Sequence, residues 1–235
     1  MRWPSIRKKN QDKQHEPYKL ASTYAYASSH TDDKSVDAQI QNLARLGKLG
    51  YHLDGDFSDR ETSVFYNPVK KDVIVAYRGT DLADKTTRMK DLWSDAHILT
   101  GTQKYDKRFK QALSDYGSIK NKYAKEGYNV NVTGHSLGGA IARHVNKHNQ
   151  GSVKEGVYFS RGSTPFNAFP NPLNNWNPIN PVKWLTHSGK RNLPNETDIS
   201  NRYDPISLGA RLEMGNQVVD TTLRDPLSAH NLATL

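Results

Sequence analysis

The chain has 235 residues, 35% of them hydrophobic, and 33 basic against 24 acidic side chains give a net charge of +9. That is enough for one domain around one buried core. It contains no cysteine, which excludes disulfides, zinc–thiolate sites and thiol nucleophiles, and no apolar run is long enough to span a bilayer. The surplus positive charge suits peripheral contact with an anionic membrane, whereas lysines scattered along the chain rather than interleaved with aromatics argue against nucleic acid.

Residues 1–16 are polar and basic without an apolar h-region, so they read as a flexible basic tail and not as a secretory signal. The spacing predicts a helix opening at Pro17 and carrying Tyr18, Leu20, Ala21, Tyr24 and Ala25. A second is expected over Ser35–Leu49, where Val36, Ile40, Leu43, Leu46 and Leu49 share a face. The period then falls to two. Thr62–Tyr66 and Asp72–Tyr77 read as strands of a hairpin turned by residues 67–71. Between them and the second helix, Asp54-Gly55-Asp56-Phe57-Ser58-Asp59 invites a calcium reading. It fails, because Asp59 and Phe65 stand where an EF-hand loop needs glycine and glutamate. No metal and no cofactor are expected.

Lys104–Lys125 places Phe109, Ala112, Leu113, Tyr116, Ile119 and Tyr123 on one face, with lysines opposite, and predicts an amphipathic helix. It leads to a strand at Asn129–Val132 and a helix over Ala140–Val145. Val153–Ser160 is a further strand, Pro165–Pro194 is irregular, Asp198–Tyr203 is a short strand, and Gly215-Asn216 separates the arms of a terminal hairpin, 211–214 and 217–223. Phe166, Phe169, Trp176 and Trp184 in the irregular stretch are expected to fold back over the sheet. Strands alternating with helices define an α/β fold, a mixed sheet with flanking helices in a single domain over 17–235.

Between the predicted strand at 129–132 and the predicted helix at 140–145 stands Gly134-His135-Ser136-Leu137-Gly138, a G-x-S-x-G pattern. A serine raised on a tight strand-to-helix turn has a strained backbone, and side chains two positions either side would collide, so glycines 134 and 138 are required. The turn exposes the Ser136 hydroxyl beside a helix N-terminus, whose free N–H groups can hold a developing oxyanion. Serine is a poor nucleophile unaided and needs a histidine base oriented by an acid. On folds with this elbow the chain order is serine, acid, histidine. His230 fits that order; His187 has only Glu155 between it and the serine. The acids ahead of His230 are Glu196, Asp198, Asp204, Glu213, Asp220 and Asp225. Asp204 is preferred, since it follows a strand and precedes Pro205, at the end of the sheet where such sites gather. His135 points away from its neighbour on the turn and is expected to pack beneath the elbow.

These residues give the chain a resemblance to the class 3, fungal-type lipases of the α/β-hydrolase fold. Two motifs carry it: Val132-Thr133-Gly134-His135-Ser136-Leu137-Gly138-Gly139-Ala140 and Val73-Ile74-Val75-Ala76-Tyr77-Arg78-Gly79-Thr80-Asp81. The resemblance runs from Val64 to Ala168 and resumes near Asp204 and His230. It implies a serine carboxylic-ester hydrolase of lipase or phospholipase type, with an oxyanion hole formed by the Thr80 hydroxyl and N–H and the Leu137 N–H. It also implies lipid ester substrates, and the basic charge tilts the expectation toward phospholipid. Asp95 matches an acidic family position with a structural role. Leu82–Lys90, where family members that act at oil interfaces carry an amphipathic lid, is too polar here for strong interfacial activation. A short-chain or non-lipid esterase and a catalytically idle membrane- or nucleic-acid-binding protein are the rival readings.

Overall fold

A computed structural model describes residues 5–80, 103–162, 193–201, 203, 204, 207 and 216–220. The expectations for His230, Asp95, the 82–90 segment and the aromatics of 165–192 lie outside the described residues.

In chain order the elements are α1 (Ser5–Ala27), α2 (Asp33–Lys48), β1 (His52–Leu53), a 3₁₀ turn (Gly55–Phe57), β2 (Thr62–Asn67), β3 (Asp72–Tyr77), α3 (Gln103–Lys125), β4 (Asn129–His135), α4 (Leu137–His148), β5 (Val153–Phe159), β6 (Glu196–Asn201) and β7 (Asn216–Asp220). The seven strands form one sheet in sequence order. β1, β2 and β3 are antiparallel neighbours, and β3 to β7 run parallel. This is an α/β-hydrolase sheet of mixed direction, as the alternation of elements requires.

Buried parallel strands bury both faces, and the sequence of β3 shows why it is one of them. Val73, Val75 and Tyr77 join Val130, Val132 and the apolar faces of α3 and α4 in one cluster. Ile74 and Ala76 point the other way, to Phe65, Val157 and Phe159 beneath α1 and α2. The strand's period of two therefore sorts one apolar run into two cores, and the molecule has three layers, helix on sheet on helix.

Three expectations are corrected. α1 begins at Ser5 rather than Pro17, so residues 5–16 are helical and Pro17 lies inside the helix. Pro17 gives up one helical hydrogen bond, but it is buried along with His15, Tyr18, Leu20 and Ala21, and packing holds the helix together. β6 starts two residues before the predicted strand, at Glu196, and ends at Asn201. Asn216 does not belong to a hairpin turn: it pairs with Thr197 as the first residue of a parallel strand. Among the described residues no helix is long and apolar enough to cross a membrane.

Candidate active site

The elbow is as tight as its glycines imply. Ser136 has φ 56° and ψ −122°, a left-handed backbone that a non-glycine residue adopts only when its surroundings force it. Its N–H donates to the Phe159 carbonyl on β5 (3.0 Å), and its own carbonyl accepts from Ala140 (3.1 Å) and Gly162 (3.3 Å). A side chain on Gly134 would drive into the backbone of Gly138, and one on Gly138 into the backbone at Tyr77 and Arg78. Backbone therefore meets backbone on both sides of the serine. A serine preceding a helix ordinarily caps it; here the strained dihedrals turn the Ser136 side chain away, and it makes no cap bond. Ser136 is 8% exposed.

Leu137 is the first residue of α4 and is buried. A helix has no carbonyl to offer its first N–H groups, so the Leu137 amide lies beside the serine without a helical partner. Thr80 follows the end of β3 and is partly exposed. β3 and β4 are parallel neighbours with Tyr77 opposite Gly134, so Thr80 and Ser136 leave the sheet at the same edge. The Arg78 guanidinium binds Glu61 at 2.8 Å, its N–H donates to the Glu61 carbonyl at 2.9 Å, and Arg108 donates to the Arg78 carbonyl at 2.6 Å. The arginine of the Arg78-Gly79-Thr80 motif is thus an anchor that fixes where Thr80 emerges.

Asp204 is fully buried. Its N–H donates to the Asn201 carbonyl (3.2 Å), and its own carbonyl accepts from the Ser207 hydroxyl (3.3 Å), a turn that closes directly after β6. β6 lies two strands from β4, so Asp204 and Ser136 share the C-terminal edge of the sheet. The expected lateral gap is two strand spacings, ~10 Å.

The competing acids on β6 are committed elsewhere. Asp198 sits mid-strand rather than at its start, and Arg161 grips it with two bonds, Nε to Oδ1 at 2.8 Å and Nη2 to Oδ2 at 2.9 Å. Glu196, two residues earlier and on the same face, takes Arg143 of α4 at 3.0 and 3.3 Å. Burial pushes the Glu196 carboxyl above its usual range, and the Arg143 bonds hold it back. Sequence reading missed both arginines. The available signal was the two-residue spacing of Glu196 and Asp198, which puts two acids on the face covered by α4, where buried charge demands partners.

His135 is buried beneath the elbow, as expected, with its Nδ1 3.1 Å from the Tyr26 hydroxyl. Tyr26 was not singled out from sequence. Among the described residues no cluster of three or more metal-ligating side chains occurs. The Asp54 loop that failed the calcium test is instead held by Lys122 (2.8 Å) and Tyr123 (2.5 Å).

The comparisons with known proteins bear on sequence family and on fold. Residues 75–150 match the sequence model of a family described as lipase, class 3. The matched segment runs from the second half of β3 through the elbow to the end of α4 and includes Thr80, Ser136 and Leu137. Among solved structures, Lip2 lipase from Yarrowia lipolytica is similar at TM-score 0.50 and 16% identity, covering 86% of this chain and 74% of that one. A Rhizomucor miehei lipase in a propeptide complex is similar at TM-score 0.52 and 13% identity, covering 90% of this chain and 68% of that one. Lipase II from Rhizopus niveus is similar at TM-score 0.51 and 14% identity, covering 84% and 74%. At these identities the likeness is one of fold. No curated protein sequence matches the chain.

Proposed function

We propose that the chain is a serine carboxylic-ester hydrolase acting on lipid esters through an acyl-enzyme. The observation that carries this reading is Ser136 itself, a non-glycine residue held at φ 56° between two glycines that tolerate no side chain. Strain of this kind costs on the order of 1–3 kcal/mol and persists where a side chain must be presented in one direction.

In this mechanism the Ser136 hydroxyl attacks the ester carbonyl carbon while the His230 imidazole takes its proton. The carbonyl oxygen becomes an oxyanion, held by the Thr80 N–H and hydroxyl and the Leu137 N–H. Collapse breaks the bond to the alcohol oxygen, which leaves with the proton from His230. Water, deprotonated by the same imidazole, attacks the acyl-enzyme and releases the carboxylic acid and free Ser136. Asp204 orients the imidazole and stabilises its charged form. Its total burial supports that role, because a carboxylate removed from water interacts more strongly with a cation beside it. Two strand spacings leave room for an imidazole between hydroxyl and carboxylate. The net charge of +9 favours phospholipid over neutral glyceride and supports peripheral contact with anionic membranes.

The test is hydrolysis of a p-nitrophenyl ester series by wild type, Ser136→Ala and His230→Ala, with fluorophosphonate labelling and mass mapping of the labelled peptide. Label on Ser136 and loss of turnover in both variants support the reading; a wild type that neither labels nor turns over overturns it. Phosphatidylglycerol vesicles compared with triglyceride emulsions then decide the lipid class.

A further inference from the structure

The C-terminal end of α1 reaches the two halves of the proposed oxyanion hole. α1 lies along β4 with matched spacing: four helical residues rise ~6 Å and two strand residues ~6.6 Å. Ser22 and Tyr26 are thereby laid over Thr133 and His135. Ser22 and Thr133 share a hydroxyl hydrogen bond at 3.1 Å, which sets the helix in register. One turn further on, the Tyr26 hydroxyl donates to the His135 carbonyl at 3.2 Å, with His135 Nδ1 3.1 Å away. A hydroxyl has one proton to give, so with that proton on the carbonyl the tyrosine oxygen is left to accept from Nδ1 in the tautomer that carries the hydrogen there. The two rings meet edge to face, 5.6 Å apart at 65°.

The His135 carbonyl belongs to the peptide that leads into Ser136. Tyr26 holds that peptide by its oxygen, and the Phe159 carbonyl holds it by its N–H at 3.0 Å. A peptide plane gripped at both polar atoms cannot rotate, and its orientation is one side of the φ angle of Ser136. The same Tyr26 hydroxyl occupies the space where a side chain on Gly79 would project, and that side chain would also meet the His135 carbonyl at 2.7 Å. Gly79 immediately precedes Thr80. One phenolic oxygen therefore touches the strand end that carries Thr80 and the peptide that sets Ser136 and, through it, Leu137.

We infer that Tyr26 is a positioning residue that keys the two halves of the oxyanion hole together and holds Ser136 in its strained conformation. This rests on the hydrolase reading above. It also gives Gly79 a reason that a turn does not: only glycine leaves room for the key. Tyr26 acts through His135 and Gly79 and does not touch substrate.

Tyr26→Phe keeps the ring and removes the hydroxyl. Since a misplacement of about 1 Å at a reacting centre can cost ~100-fold, kcat on a soluble ester falls about 10- to 100-fold with KM unchanged. A thionoester, whose sulfur makes little use of an oxyanion hole, loses less, so the ester-to-thionoester rate ratio falls with kcat. Gly79→Ala produces the same kinetic signature by displacing the hydroxyl. In the Tyr26→Ala background it adds less than it costs the wild type, because only the contact with the His135 carbonyl remains. Tyr51→Phe removes a comparable tyrosine–carboxylate bond far from the elbow, to Asp72 at 2.7 Å, and leaves the rate ratio at the wild-type value. Failure of the wild type to label at Ser136 overturns the hydrolase reading and this inference with it. A labelled, active wild type with unchanged kcat and rate ratio in Tyr26→Phe overturns the role of Tyr26 alone, as does full additivity of Tyr26→Ala and Gly79→Ala.

Discussion

Replacing Arg143 by methionine tests whether the charge buried between α4 and β6 matters as its geometry implies. The Arg143 and Glu196 side chains are 6% and 0% exposed, so water does not screen their attraction. Removing one partner of such a pair strands the other and costs about 3–5 kcal/mol. A domain of this size has about 5–15 kcal/mol in all, and each kcal/mol moves Tm by about 2–4 °C. Thermal unfolding of Arg143→Met should therefore fall by about 6–20 °C at neutral pH. The pH dependence carries a definite sign. Burial already raises Glu196 above the usual range, and the arginine is what opposes the rise. In the variant the folded state holds the Glu196 proton over a wider interval above the unfolded value of ~4.3, so stability declines as pH climbs through that interval and the deficit shrinks on acidification. The Leu193 N–H, 3.3 Å from Glu196 Oε1, remains as a small compensation. The double variant Arg143→Met/Glu196→Leu should recover most of the loss, since neither charge is left buried alone. The assay is urea unfolding of the four proteins of this cycle from pH 5 to pH 8. A single-variant loss under 1 kcal/mol, or a loss that does not change with pH, refutes the reasoning.

Four further outcomes are expected. Ser136→Gly should be inactive yet more stable than Ser136→Ala by about 1–2 kcal/mol, because only glycine adopts φ 56° freely; equal stability of the two would mean that the elbow stores no strain. Gly134→Ala should lose both activity and about 1–3 kcal/mol, since its methyl meets backbone that cannot move aside; a soluble, active Gly134→Ala would count against the packing described. Asp204→Asn should lower kcat by about 10⁴-fold with little change in KM, read on the p-nitrophenyl series, and retention of wild-type kcat would transfer the acid's role elsewhere. Tyr123→Phe should cost about 1.5–3 kcal/mol, because its hydroxyl donates to a carboxylate. Burial alone would raise Asp54, but Lys122 and Tyr123 outweigh it and hold the carboxyl below its usual value, so this loop's stabilisation is present above the ordinary carboxylate range and lost as pH falls through the lowered one.

Much of this was legible in the order of residues, because local patterns report local geometry. The glycines at 134 and 138 implied the elbow, since the steric demand of a strained serine lies within two residues of it. The period-two run of β3 and the helical face of 104–125 implied buried strand and amphipathic helix, and both stand within a residue or two of the expected bounds. A strand followed by Asp-Pro points to a strand end, and Asp204 does sit in the turn directly after β6.

Only the tertiary structure decided what depends on neighbours distant in the chain. The start of α1 was misread because Pro17 is a good first helical residue by propensity, and what keeps it inside a helix is packing against a sheet that sequence does not display. The parallel pairing of β7 depends on which edge of the sheet is open, not on the Gly215-Asn216 dipeptide whose second residue opens the strand. Arg161 with Asp198 is separated by 37 residues and Tyr26 with His135 by 109, and no local pattern marks either pair. Chemistry that a single turn can present was visible in the chain; the partners that hold that turn in place became visible only when the sheet brought remote side chains to within hydrogen-bonding distance.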